Sequence, residues 1–427
     1  MILRLRESLF AIPLLVIAVC GVLAFVALYL DAAIGETLRE WPVIIGTTVA
    51  GARAIAASVA GATITVAAIV FSITALSTQM AASQYSPRAL GEFFEDPFQQ
   101  TIIGLVVGTF TYSLLVLASL GGGIVDDSAA TPSASVTLAI ILGVASAVGI
   151  VAYINHSLRR MQVDSVVQRI AADSVRAITR HVGDLDDDQI PEGPRPQGLA
   201  RVIHSDTGGW VVRITGEDVL EALPPESTAR VDVRIGEAVS VGDRLITIWP
   251  DPGAEWGGAA QVRRAVVAAD ERSVDLDPTF GIRQLVDIAL RALSIGVNDP
   301  TTAVDVIHHL KAPVRTVLMS DPPRRVFSGH GNRRVYLARI PGRSDYVHAA
   351  FSEIRLAAIE QPYVLRALLE VLEDLKIDLH EAGLGEREGA LVEEIELTMA
   401  AANSSKLPEA DLRRVLGQSS ESALDSN

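Results

Sequence analysis

The chain has 427 residues, 49% hydrophobic and only 20% charged, with a mean hydropathy of +0.33; a water-soluble protein of this length rarely reads so apolar, and a membrane protein is expected. A formal net charge of −15 excludes a phosphate-binding surface, so nucleic acid is set aside as a partner. The one cysteine, Cys20, sits in an apolar run, which excludes an intramolecular disulfide and a cysteine-rich metal site.

Residues 1–158 hold five basic and nine acidic residues and leave 31 and 42 to residues 159–427. An apolar membrane part therefore precedes an acidic soluble part. A bilayer core needs ~20 mostly apolar residues per helix. Four stretches meet that need: Leu9–Leu30, the uncharged interval between Arg53 and Arg88, Thr101–Leu120 and Val136–Ile154. The first is longer than a signal-peptide core, and Asp31-Ala-Ala-Ile is a poor cleavage site, which favours a retained helix. Basic residues near spans stay on the cytoplasmic side. Arg4, Arg6, Arg88, Arg159 and Arg160 fall on one face and only Arg39 and Arg53 on the other. Both termini are therefore expected in the cytoplasm, with the bilayer itself as the first partner.

The second span carries the most information, because hydrocarbon offers polar side chains no partner. Ser58, Thr65, Ser72 and Gln79 recur every seven residues, and Gly61, Ala68, Ala75 and Ala82 form a second such row. Seven residues make about two helical turns, so each row is one stripe, hydroxylated in one case and small in the other. Two readings stand. The stripes pack inside the protein's own four-helix bundle with the hydroxyls bonded back to their helix, or they line a water-filled pore in a homo-oligomer. In the second reading Ser58, Thr65, Ser72 and Gln79 face the path, Arg53 stands at the outer mouth, and Arg88, Glu92, Glu95 and Asp96 stand at the inner one. Arg53 and Arg88 at the mouths favour anions and the acidic groups near the inner mouth favour cations, so both signs of permeant ion stay open, with the acidic excess leaning to cations. In the third span, Gly104 and Gly108 form a small-xxx-small pair that reads as a helix contact.

After the fourth span, Arg159–His181 continues at helical spacing and reads as a stalk (residues 159–182), and the Asp- and Pro-rich residues 183–198 read as a linker. Short alternating segments then predict strands at 200–204, 209–214, 228–233 and 244–249, with turns at Asp206-Thr-Gly-Gly and Ser240-Val-Gly-Asp243. Residues 231–248 are similar to the small barrels of lipoyl and biotinyl carriers, although no Lys occurs before residue 311 to be modified. Beyond residue 260 helices are expected near 281–293, 301–310, 344–359, 363–380 and 388–400, with a hairpin at Val326–Leu337. The expected fold is an α-helical membrane domain of four transmembrane helices (1–158), followed by an α+β cytoplasmic domain. That domain holds a small β-barrel (199–250), a mainly helical part (251–417) and a disordered tail (418–427).

Few residues point to chemistry. Asp305, His308 and His309 lie within about one helical turn, but adjacent histidines splay apart by ~100° and no second motif completes a metal shell. Asn298-Asp299-Pro300 reads as a helix start with Asp299 as N-cap. Arg283 and Asp287 form an i,i+4 pair, or reach a neighbouring subunit or ligand together with Asn298, Asp299 and Thr302. The sequence has no phosphate loop, nucleophile elbow or zinc-protease signature, so no enzyme activity and no cofactor is expected.

The run Ile73-Thr-Ala-Leu through Ser86-Pro-Arg88, then Phe93-Phe-Glu-Asp96 and Gly108-Thr-Phe-Thr-Tyr112, resembles a widespread bacterial family of predicted membrane proteins with a domain of unknown function. The resemblance returns at Glu271-Arg-Ser-Val-Asp-Leu-Asp277-Pro, Phe280-Gly-Ile-Arg-Gln-Leu-Val-Asp287 and Asn298-Asp-Pro-Thr-Thr-Ala303. It implies four membrane helices, a cytoplasmic domain and a bacterial inner-membrane location, and no agreed activity. Where the family usually has Pro in an Ala-Leu-Ser-Pro turn, this chain has Ile295. The architecture is also similar to mechanosensitive channels of small conductance, whose Ala- and Gly-rich helix leads into a cytoplasmic β-domain. The expectation is thus a homo-oligomeric pore or ion channel lined by the second span. The alternative is a membrane-anchored sensor or scaffold whose cytoplasmic domain binds a ligand or protein. A transporter would call for inverted repeats and charged midplane sites, and the sequence shows neither.

Overall fold

The computed structural model describes residues 11–38, 45, 47–84, 97–121, 133–160, 163–180, 198–321, 323–405 and 408–415. It divides into two compact units, Met1–Gln162 and Val163–Asn427.

The first unit holds α1 (Ala11–Leu38), α2 (Val49–Gln84), α3 (Pro97–Gly121) and α4 (Ser133–Arg160). Each contains a stretch long and apolar enough to cross a membrane: Ala11–Ala33, Val49–Leu76, Pro97–Leu120 and Ser133–Ser157. Of the four, α3 and α4 each pack against all the others, α3 the more extensively. The glycines of α3 explain the closest approach. A β-carbon on Gly104 would stand 2.9 Å from Cβ of Val16, and one on Gly108 only 2.7 Å from Sγ of Cys20. The expected small-xxx-small contact is therefore the seam with α1.

The second unit begins with α5 (Val163–Arg180), β1 (Arg201–His204), β2 (Gly209–Ile214), α6 (Gly216–Ala222), β3 (Thr228–Val231), β4 (Ala238–Val239) and β5 (Arg244–Trp249). There follow α7 (Ala259–Arg264), β6 (Val266–Ala269), α8 (Pro278–Ala292), α9 (Pro300–Met319), β7 (Val326–Gly329) and β8 (Arg333–Leu337). The chain closes with α10 (Arg343–Ala357), α11 (Pro362–Glu381), α12 (Gly389–Ser404) and α13 (Glu409–Val415). The segment expected to be a stalk is α5, which packs on α8 and α9 with Val166, Val167, Ile170 and Ile178 buried. At that seam Gly281 leaves room for Ser174, whose Oγ would lie 2.0 Å from any β-carbon there.

Among the described residues the small barrel expected over 199–250 is not found as a closed barrel, and its strands lie in two sheets. One sheet runs β1-β5-β3-β8-β7 and the other β4-β2-β6. The physical reason is the partner of β3. It pairs in parallel with β8, Ala229 opposite Val335, so a strand from far along the chain extends the sheet where closure would have needed a local neighbour. Inner residues of both sheets, including Ile203, Val211, Val231, Ile246 and Val266, share one apolar core. The expected hairpin at 326–337 is β7 and β8, antiparallel with Phe327 opposite Val335. The linker expected at 183–198, apart from Gly198, and the tail from 418 lie outside the described residues.

Candidate pore-lining helix

Along α2 the buried positions are Ala52, Ala56, Ala60, Thr63, Ala67 and Val70. Their three- and four-residue steps define one helical face. That face is small because the neighbouring helices come close. The row Ser58, Thr65, Ser72, Gln79 and the row Gly61, Ala68, Ala75 are all exposed on this chain. Neither row contributes to the bundle core. At 3.6 residues per turn the two rows adjoin each other, with the exposed pair Ile64 and Phe71 along one side and the exposed pair Ile69 and Leu76 along the other.

Two of the strip's hydroxyls are satisfied locally. Thr65 Oγ1 donates to the Gly61 carbonyl and Ser72 Oγ to the Ala68 carbonyl, both at 2.9 Å. Such back-bonding lets a hydroxyl sit at an apolar depth without a partner helix. Beside the strip an open apolar groove of about 340 Å³ runs between α2 and α4, lined by Ser58, Ala62 and Val66 on one side and Ile140, Gly143 and Ala147 on the other. By contrast α1 presents large side chains outward, among them Leu14, Leu15, Val22, Phe25 and Tyr29, each more than 60% exposed.

Of the residues expected at the mouths, Arg53 donates through Nη2 to the carbonyl of Leu120 at the end of α3. Arg88, Glu92, Glu95 and Asp96 lie outside the described residues. Two further residues at the Arg53 end of the bundle escaped the sequence reading. Asp31 of α1 is buried and accepts from the backbone N–H groups of Ala134 and Ser135 at 2.8 and 2.9 Å, and from Ser135 Oγ at 2.6 Å. Tyr112 of α3 donates to the Ser135 carbonyl at 2.9 Å.

The soluble candidates separate into local roles. Arg283 bonds to Asp287 within α8, at 2.7 Å from Nε, and also to Glu353 of α10; all three residues belong to one chain. Asp299 is the N-cap of α9 with Pro300 in the first turn, and Thr302 donates to it from Oγ1 at 2.7 Å. Asn298 adopts φ of +48°, in the left-handed region that Asn tolerates better than most residues. In the weak metal candidate Asp305 and His308 are exposed, while His309 Nε2 lies 3.3 Å from Asp164 of α5. No group of three or more metal-ligating side chains occurs among the described residues. The resemblance motif at 271–277 proves to be a junction. Arg272 bonds to buried Asp277 at 2.9 Å and lies over the rings of Trp210 and Phe280, 5.4 and 4.7 Å from their centroids. A second buried carboxylate, Glu394 of α12, accepts from Arg355 at 2.7 Å and Ser352 at 2.9 Å, both on α10.

Comparison with known proteins places these features in a lineage. A family model described as "Predicted membrane protein (DUF2254)" matches residues 6–374. The uncharacterized proteins Mb1321c of Mycobacterium bovis and Rv1290c of Mycobacterium tuberculosis are each similar to the chain at 31% identity over 400 residues, covering 90% of this chain and 76% of theirs. No solved structure matches.

Proposed function

The chain belongs to the DUF2254 family of predicted membrane proteins, and we propose, from the structure of its second span, that it assembles as a homo-oligomeric ion pore in which α2 lines the path. One observation carries this reading: the polar and small strip of α2 faces away from the bundle of its own chain. A helix that met only lipid would gain by exposing large apolar groups, as α1 does. Placed around an axis, Ser58, Thr65, Ser72 and Gln79 would offer hydroxyls and amides to a passing ion without a fixed charge. The small row and the ridge residues beside it would meet the adjacent subunit. The chain sits in the bacterial inner membrane with both termini cytoplasmic, as the distribution of arginines beside the spans favours. Reporter fusions after Leu30, Leu120 and Asn155 test that orientation, and an external signal from the last would reverse it.

The pore is tested by cysteine substitution along Ser58–Gln79 in a Cys20→Ala background, scored with a water-soluble thiol reagent on the membrane-embedded protein. Modification at 58, 65, 72 and 79, with protection at 56, 60, 63, 67 and 70, is the expected pattern. Protection throughout the series would overturn the pore and favour the alternative, a sensor or scaffold that the helices merely anchor.

A further inference from the structure

The turn between α8 and α9 holds apolar side chains out into water on a bonded backbone. The N–H groups of Val297 and Asn298 both donate to the Ser294 carbonyl, at 3.0 and 2.9 Å, and that of Asp299 donates to the Ala292 carbonyl at 2.8 Å. Asn298 and Asp299 thus build the turn, and what it displays is Ile295, wholly exposed, and Val297, 50% exposed. Gln361, the N-cap residue of α11, donates through its side chain to Asn298 Oδ1 at 3.4 Å. That bond brings the start of α11, with Tyr363 72% exposed, to the same corner of the fold. Between Arg291 and Asp305 the one charged residue is Asp299, and it is engaged as the cap of α9. Apolar residues gathered on one corner mark a surface that another body covers.

Size and charge narrow what covers it. A partner held by this corner alone would need about 800 Å² on each side, more than three side chains supply. The occupant is therefore one that the membrane helices already keep close, where a high effective concentration lets a small contact count. That leaves the bilayer and a second copy of the chain. Apolar tips that enter a bilayer surface come with basic residues that meet lipid phosphates. Here the nearest flanking charges are Arg291 on one side and the acidic Asp305 and Glu360 on the others, a balance that phosphates repel. Two copies, each with a formal net charge of −15, also repel each other, and they approach best where a surface carries no charge of its own, as here.

We propose that the corner formed by Ile295, Val297 and Tyr363 docks on a second copy of the chain, giving the soluble unit its own contact between subunits. The inference rests on the homo-oligomer of the pore reading and adds a second place of assembly to the strip of α2. Ile295 is the anchor, because its whole side chain is available for burial.

The test is the subunit concentration at which the full chain half-dissociates in mild detergent, followed by light scattering. Ile295→Asp should raise it about tenfold or more, the effect of losing one buried isoleucine, and Tyr363→Ala should shift it in the same direction. Ile295→Leu should stay within roughly threefold of wild type. Ile377→Asp, at an exposed isoleucine about 21 Å along α11 from Tyr363, should stay within roughly twofold. The urea midpoint of Ile295→Asp should match wild type, and a midpoint that fell together with assembly would make Ile295 a folding residue and overturn the docking. An oligomer indifferent to Ile295→Asp would overturn the corner and leave the pore reading standing, whereas a wild type that is monomeric at every concentration would end both. An oligomer that needs Ile295 while α2 resists the thiol reagent throughout would keep the corner and sink the pore. The bilayer is tested with Ile295→Cys in a Cys20→Ala background, labelled with an environment-sensitive dye in lipid nanodiscs. Emission unchanged by lipid-borne quenchers is expected, and strong quenching would assign the corner to the membrane surface and overturn the proposal.

Discussion

Gly108 of α3 lies against Cys20 of α1 so closely that a β-carbon on the glycine would stand 2.7 Å from Sγ and 3.2 Å from Cβ of the cysteine. The sulfur is buried among Ala24, Ala52, Ala56 and Tyr112, so neither helix can yield without disturbing its neighbours. Gly108→Ala should therefore destabilise the membrane unit by about 1–3 kcal/mol through overpacking. Combining it with Cys20→Ala should recover part of the loss, because the shorter side chain removes the nearer of the two contacts. Thermal unfolding in detergent of the two single variants and the double variant measures the coupling, and strictly additive losses would refute it.

Arg272 carries a prediction in the soluble unit. Its guanidinium bonds to Asp277, which is 2% exposed, and also reaches Thr279 Oγ1 at 3.2 Å. Arg272→Ala would leave a buried carboxylate without its counter-charge and should cost about 3–5 kcal/mol. Arg272→Lys should recover only part, since an ammonium cannot both fork onto the carboxylate and stack between Trp210 and Phe280. Urea unfolding of the full chain, followed by tryptophan fluorescence, gives both values. Equal losses for the two variants would show that the planar stacking, not the charge, dominates.

Asp299 supplies a pH dependence whose sign is fixed by geometry. Hydrogen bonds from the side chain and then the backbone of Thr302 hold its carboxyl below the usual range, against a smaller opposing effect of burial. A carboxyl with a lowered folded pKa stabilises fully above its unfolded value and loses that contribution as pH falls through the folded one. Asp299→Ala should cost about 1 kcal/mol at pH 7 through loss of the N-cap. The difference between wild type and this variant should shrink as pH falls below about 4, where the carboxyl begins to protonate. Urea midpoints at neutral and acidic pH test this, and a difference that grew on the acid side would contradict it.

What the sequence made legible follows from the range of the interactions involved. The spans were readable because ~20 apolar residues in a row have few other uses. The Asp299 cap and the β7–β8 hairpin were readable because their partners lie within a few residues. The parallel pairing of β3 with β8 was not, since alternation marks a strand without naming its partner. The sequence reading ended α9 near Leu310, and Pro313 just beyond removes a backbone donor, which normally breaks a helix. The helix nevertheless continues to Met319, with Pro313, Val314 and Leu318 buried on the same side as Leu310. At the candidate site the seven-residue rows of α2 were visible, but the direction they face was not. The bond from Arg53 to a carbonyl was also hidden, because backbone acceptors leave no mark in a sequence and an arginine beside a span suggests first a charge at a membrane boundary.

The two faces of α2 make opposite demands on size, and that gives the sharpest test of which face does what. Ala67 points into the bundle, packed with Val70, Val106 and Tyr153, whereas Ser72 points out of it with its hydroxyl bonded to Ala68. Ala67→Leu should overpack the core and lower stability by about 1–3 kcal/mol. Ser72→Leu adds similar bulk where the chain's own helices place nothing, so the stability of the isolated subunit should stay within about 0.5 kcal/mol of wild type. In an assembled pore the same leucine would narrow and dehydrate the path, because an apolar constriction dewets readily. Thermal unfolding of detergent-separated subunits and ion flux in liposomes therefore diverge for Ser72→Leu and decline together for Ala67→Leu. Unchanged flux through wild-type-like amounts of Ser72→Leu protein would remove this face from the permeation path.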